Sequence, residues 1–223
     1  MADQSGDALD GNVPGRLNEY LVDIRHSTNA VVEDITTRNP FTYSIAVVAS
    51  KDFCVLNNRT AVRSSGRYNQ LDGIHITDSH SGLVVGNRVD QGQGNDGDDG
   101  LVAQTIGEPV YDVEFRDNDV RGGSHGSGMQ MALGTHEIHD LKVSGNRFWG
   151  SPNGIQTGHY DGAAALRQVS ITKNNFVDVA GPSVVFNGEL IGITVADNSE
   201  CRSGGVQVAE GRSNRVDQPT QRC

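Results

Sequence analysis

The chain has little of what long helices, membranes and nucleic-acid surfaces require. Of its 223 residues 35% are hydrophobic and 5% aromatic, and no apolar run approaches the ~20 residues that cross a bilayer. Membrane insertion is therefore not expected. Lys and Arg number 18 against 28 Asp and Glu, for a net charge of −10; with no basic run to offset it, a nucleic-acid partner is not expected either. Three cysteines, Cys54, Cys201 and Cys223, are too few and too scattered for a disulfide framework or a C-x-x-C zinc site. Cys54, in the apolar run FCVL, reads as a buried thiol. A Cys201 to Cys223 bridge could pin the C-terminus, but the odd count gives it no support. The opening residues MADQSGDALDG are polar and acidic, so no signal peptide is visible. An extracellular or virion-associated location is expected, reached after a leader is removed or by release on lysis.

What is present is glycine, asparagine and aspartate, the residues of tight turns between short strands, and the expected class is all-β with one main domain. Residues 1–16 read as an N-terminal arm or cap, 17–210 as a repeating body and 211–223 as a C-terminal tail. The body repeats a first phrase built on asparagine: VLNNRT (55–60), VVGNRV (84–89), FRDNDV (115–120), VSGNRF (143–148), ITKNNF (171–176) and VADNSE (195–200). Its asparagines, Asn58, Asn87, Asn118, Asn146, Asn174 and Asn198, fall at the irregular one-coil period of a solenoid. They are expected to stack as a ladder.

A second phrase enters a strand through a small residue: YSIAVV (43–48), DGIHIT (72–77), DGLVAQ (99–104), SGMQMA (127–132), NGIQTG (153–158), PSVVFN (182–187) and GGVQVA (204–209). Seven coils are counted this way. Alternation points Ile45, Ile74, Leu101, Met129, Ile155, Val184 and Val206 inward, and Ala46, His75, Val102, Gln130, Gln156, Val185 and Gln207 outward. The pattern resembles the right-handed parallel β-helix of pectin-degrading enzymes and many phage tailspikes.

Two residues before each inward position stand Tyr43, Asp72, Asp99, Ser127, Asn153, Pro182 and Gly204. Asp72 and Asp99 then occupy adjacent rungs ~4.8 Å apart, with Asp98 beside them, and mutual repulsion predicts a raised pKa on one of the three. Paired carboxyls of unequal pKa are what glycoside hydrolysis needs. Gln70-Leu71-Asp72-Gly73-Ile74 and Gly97-Asp98-Asp99-Gly100-Leu101 look like the Asn-Thr-Asp-Gly-Ile and Gly-Asp-Asp-Cys-Ile motifs of polygalacturonase-type glycoside hydrolases, and Asn39-Pro40-Phe41 is similar to the preceding coil. The resemblance implies Asp98 as general acid, with Asp72 and Asp99 positioning and deprotonating water in an inverting displacement. The catalytic reading requires the three carboxylates to converge in an open groove at the ~6.5 to 9.5 Å separation of inverting enzymes, and fails without it. Later rungs depart from the family, whose His, Arg and Lys fall here on Ser127, Gln156 and Gly158; those cations hold the galacturonate carboxylate.

Further substrate contacts are expected from His75, His125, Ser127, Gln130, Gln156, His159 and Tyr160, the last two beside Asp161. No cofactor or metal is expected: Asn95, Asp96, Asp98 and Asp99 offer oxygen ligands but match no calcium loop, and His136 and His139 lack a third ligand. Trp149 is either a stacking platform or a turn residue. The bland alternative for the acids is turn chemistry, since Asp before Gly is ordinary at a strand entrance. Two functions follow: a β-helix that binds and cleaves a polysaccharide, or a non-catalytic virion protein, tailspike-like or on a capsid surface. Either has a polysaccharide or cell-surface glycan as partner, and open solenoid ends predict a homo-oligomer, trimeric in the tailspike case.

Overall fold

The computed structural model describes residues 2–3, 20–62, 71–92, 97–160 and 162–223. The chain winds as a right-handed parallel β-helix. One coil runs from Ile45–Val48 through Lys51–Leu56 and Arg59–Ala61 before returning to the first face at Ile74–Thr77. Stacked coils make three parallel sheets, of eight, eleven and nine strands in that order. The eight-stranded sheet contains all seven second-phrase strands and one more at Val22–Arg25, whose VDIR lacks the small entry residue that marks the others.

The register is the expected one. Ile45, Ile74, Leu101, Met129, Ile155, Val184 and Val206 pair in succession across six ladders and are buried. A second inward column on the nine-stranded sheet stacks Phe148 on Phe176 with ring centroids 5.5 Å apart, and continues in Glu200. That buried carboxylate accepts from the Ser183 hydroxyl, from Gly205 N at 3.1 Å and from Gln221, as a charge in an apolar column must.

The asparagine ladder is continuous. Each buried amide donates 2.9 Å to a carbonyl of the preceding coil, Asn118 to Val84 and Asn146 to Phe115 for example, and donates to the next asparagine Oδ1 at 2.9 to 3.1 Å from Asn58 through Asn198. The residue before each ladder asparagine has positive φ: Asn57 53°, Gly86 68°, Asp117 56°, Gly145 67°, Lys173 58° and Asp197 57°. That backbone requirement accounts for Gly, Asn and Asp recurring there.

Three expectations need correction. Ala46, His75 and Val102 lie on the outward side of their strands but are buried, because alternation fixes the side of a sheet and not whether that side is covered. Cys54 is half-buried rather than in the core, since Phe53 and Val55 take the inward positions around it. Cys201 and Cys223 are joined, with Cα atoms 5.0 Å apart. Residues 211–223 add rungs at Arg215–Val216 and Thr220–Gln221 to two of the sheets. At the other end Ala2–Asp3 pairs with Thr37 and Arg38; the rest of the expected arm, 4–16, lies outside the described residues.

Candidate active site

Asp72 and Asp99 sit where the chain turns from the nine-stranded sheet into the eight-stranded one, on consecutive coils. Gly73 and Gly100 follow them because the next coil passes directly overhead: a Cβ on Gly73 would lie 2.4 Å from the Gly100 oxygen, and one on Gly100 2.8 Å from the Gly128 oxygen. This close stacking brings the carboxylates together. One oxygen from each of Asp72, Asp98 and Asp99 lies within 4.8 Å of the other two. For Asp72 and Asp99 this closeness follows from their place on adjacent parallel rungs, roughly 4.8 Å apart, and Asp98 joins them as the residue before Asp99. Gln70, at the start of the first motif, and the candidate cation ligands Asn95 and Asp96 lie outside the described residues.

The three acids have different surroundings. Asp72 is 4% exposed. Its Oδ1 accepts from the Asp99 backbone N at 3.1 Å, and its Oδ2 faces His75 Nδ1 at 2.6 Å. Asp99 is 3% exposed, and its Oδ1 accepts from the Ser127 backbone N at 2.7 Å and the Ser127 hydroxyl at 2.5 Å. Asp98 alone is only partly buried. Its backbone is held by both neighbouring coils, donating to Leu71 O at 3.3 Å and accepting from Gly123 N at 2.7 Å. Loss of solvent, and secondarily the charge of Asp72, raise Asp98 from 3.8 to about 7. Burial, with the charges of Asp72 and Asp98 behind it, pushes Asp99 well above the usual carboxylate range. A partly exposed carboxyl that keeps its proton near neutral pH beside a second carboxylate is equipped to protonate a leaving group.

The cluster also has the donor set of a cation site, one oxygen from each of three carboxylates within 4.8 Å of one another, of which both Asp72 oxygens and Asp99 Oδ1 already face hydrogen-bond partners.

The expected substrate contacts divide. His75 and Ser127 are buried, and their side chains engage Asp72 and Asp99. His75 is fixed on three sides, by Asp72, by Gln104 Oε1 at 2.9 Å from Nε2, and by the Tyr43 ring stacked at 4.1 Å. His125 donates its backbone N to Gly97 O at 3.2 Å, beside Asp98. Gln130 and Gln156 are paired in register on the outer face of the eight-stranded sheet. His159 donates to, or faces, Asn187 O at 3.1 Å, and Tyr160 Oη donates to Gln130 Oε1 at 3.1 Å. Burial pushes the Tyr160 phenol up, and the charge of Asp99 adds to it, so this ring lies within electrostatic reach of the acids. Its neighbour Asp161 is outside the described residues. Trp149 is no open platform: its Nε1 donates to Asp119 at 2.9 Å, and the guanidinium carbons of Arg121 and Arg147 stand 4.9 and 5.2 Å from its ring centre. His136 and His139 do not converge, His136 facing the Thr135 hydroxyl and His139 facing Asp140. A groove of about 440 Å³ around His26, Lys51, His80 and Tyr111 includes none of Asp72, Asp98 and Asp99.

Supporting residues that motif reading missed are Gln91, Gln104, Tyr43 and the glycines after Arg121. Gln91 Nε2 donates to Leu71 O at 2.6 Å and Asp99 O at 3.2 Å, joining the backbones of both acid-bearing turns. A Cβ on Gly123 would lie 1.8 Å from Gly97 O, and one on Gly126 2.3 Å from the Asp98 carbonyl carbon. The pair Gly122-Gly123 was the available signal.

A parallel β-helix with a carboxyl cluster at the entrance to one sheet is the class that fold and site define. The sequence matches the family model described as right handed beta helix region over residues 11–176, and the chain belongs to that family. No curated protein matches it significantly. Among solved structures it is similar to a hyperthermoactive exopolygalacturonase from Thermotoga maritima, at 15% identity over 86% of this chain and 53% of that one, with a TM-score of 0.60. It is also similar to a polygalacturonase from Erwinia carotovora ssp. carotovora, at 12% identity over 92% of this chain and 60% of that one, with a TM-score of 0.64. The chain thus spans between about half and three fifths of the length of these two proteins, and the likeness is one of fold.

Proposed function

We propose that this β-helix binds a polysaccharide and hydrolyses its glycosidic bonds at Asp98. The observation that carries the reading is that Asp98 is partly open, raised to about 7, and grouped with two carboxyls whose oxygens lie within 4.8 Å. In the proposed step Asp98 gives its proton to the departing glycosidic oxygen as the bond to the anomeric carbon breaks. A water adds to that carbon and passes a proton to Asp72, the carboxylate whose charge acts on Asp98. Each oxygen of Asp72 faces one donor, the Asp99 backbone N or His75 Nδ1, and can accept a second. Asp99, held at Oδ1 by the Ser127 backbone N and hydroxyl, shares with Asp72 the positioning of that water. The proposal stops at hydrolysis, and the anomer released first, read by NMR, decides between inversion and retention. The test is reducing-sugar release from a polysaccharide panel by the wild type and Asp98→Asn.

One observation favours a non-catalytic glycan-binding solenoid: Asp72 and Asp99 are both buried and engaged by His75 and Ser127. Well-folded protein that binds a glycan and releases no sugar from it would establish that reading instead.

A further inference from the structure

The outer face of the eight-stranded sheet beyond the acids carries a second set of polar groups, partly open to solvent. Gln130 and Gln156 are register partners on adjacent strands, hence roughly 4.8 Å apart. The oxygen of each amide is already used, Gln130 Oε1 by the Tyr160 hydroxyl at 3.1 Å and Gln156 Oε1 by Asn153 Nδ2 at 2.9 Å. Neither Nε2 has a hydrogen-bond partner among the described residues, and both side chains are partly exposed. Tyr160 completes the set. Its ring is 49% exposed and lies back across Gly158, where a Cβ would come within 2.9 Å of Cε2 and 3.2 Å of the Gln130 amide carbon. Only a residue without a side chain lets the ring rest flat on the strand at that point.

The charge pattern of this face is one-sided. From Ile74–Thr77 to Val206–Val208, no strand of this sheet contains a Lys or Arg among its described residues; the nearest is Arg25, three rungs before Gln104. The ionisable side chains on these strands are His75, which faces Asp72 Oδ2 at 2.6 Å, and His159. Ser127, which holds Asp99, is three residues before Gln130 on the same strand, about 10 Å at ~3.3 Å per residue. A uronate carboxylate bound here would find no Lys or Arg on these described strands to pair with. An uncharged pyranose would instead find two amide donors for its hydroxyl oxygens and an aromatic face for its C–H side.

We infer that Tyr160, Gln130 and Gln156 form a subsite for a neutral sugar, so that the glycan taken by this protein is uncharged next to the reacting bond. The inference rests on the proposed glycan reading of the acid site, and its test separates the two. Calorimetry is run with Asp98→Asn protein, which holds a glycan without cleaving it, against oligosaccharides of a neutral panel (xylan, galactan, mannan, dextran) and a uronate panel (polygalacturonate, alginate). The inference predicts binding to a neutral member and none to the uronates at physiological salt. Adding Tyr160→Ala is expected to weaken that binding about five- to tenfold, the size of one lost aromatic contact, while Tyr160→Phe keeps most of it. In the cleaving protein the same Tyr160→Ala change should raise KM with kcat little altered. Preferential binding of a uronate, or unchanged affinity in Tyr160→Ala protein that folds as the wild type does, would overturn the subsite and leave hydrolysis standing. Tyr160-dependent binding of a neutral glycan, with no release by the wild type, would keep the subsite and overturn hydrolysis.

Discussion

Asp98 should make the protein less stable as pH rises, and replacing it should remove that loss. Its carboxyl moves from 3.8 to about 7 on folding, chiefly through loss of solvent and then through the charge of Asp72. A raised carboxyl binds its proton more tightly in the folded chain, so its stabilising contribution is fully present below about pH 4 and is lost as pH climbs through about 7. At about 1.4 kcal/mol per pKa unit the difference is on the order of 4 kcal/mol, an upper figure because Asp98 is partly open to solvent. Asp98→Asn has nearly the shape of the protonated acid and cannot ionise. Urea denaturation from pH 4 to 9 should show the two proteins equally stable at pH 4 and the variant more stable by up to about 4 kcal/mol at pH 9, or up to about 10 °C in Tm. A variant that is equal to or weaker than the wild type at pH 9 would refute the environment assigned to Asp98. The same group predicts that glycan cleavage declines above about pH 7, as the acid loses the proton it must donate.

Three other perturbations have defined outcomes. Asn118→Ala removes a donor to Val84 O and an acceptor for the amides of Asn87, all buried, and should cost about 2 to 4 kcal/mol in denaturant unfolding. His75→Ala leaves the Asp72 carboxylate buried without its side-chain partner; a loss of roughly 3 to 5 kcal/mol is expected at pH 8. Reducing the Cys201 to Cys223 bridge, which closes a separation of 22 residues, should lower stability by about 3 kcal/mol, seen as a lower Tm in dithiothreitol.

The fold was legible because its two determinants are both periodic in sequence. The asparagines mark one corner of every coil, and the apolar residues two positions after each small residue mark one sheet, so the adjacency of Asp72 and Asp99 followed from alignment of the phrases. The strand at Val22–Arg25 escaped because its entry is Tyr20-Leu21, with no glycine, serine or aspartate to signal it. What covers a strand was not legible. His75 has the pattern of a solvent-facing residue, but Tyr43 lies over it from the preceding coil, 32 residues away in sequence. Ser127 likewise looked like a vacant catalytic position, whereas its backbone and hydroxyl both serve Asp99. Such contacts depend on how far one coil leans over the next, which the glycines at 123 and 126 allow by removing side chains that would strike the Asp98 turn.

The most direct measurement of the central claim is reducing-sugar release by wild type and Asp98→Asn, on neutral and uronate polysaccharides, with folding of the variant checked by its denaturation curve. Release by the wild type, reduced at least a hundredfold in the folded variant, is the predicted result. Equal release by both proteins, or none by either from any glycan, would contradict it.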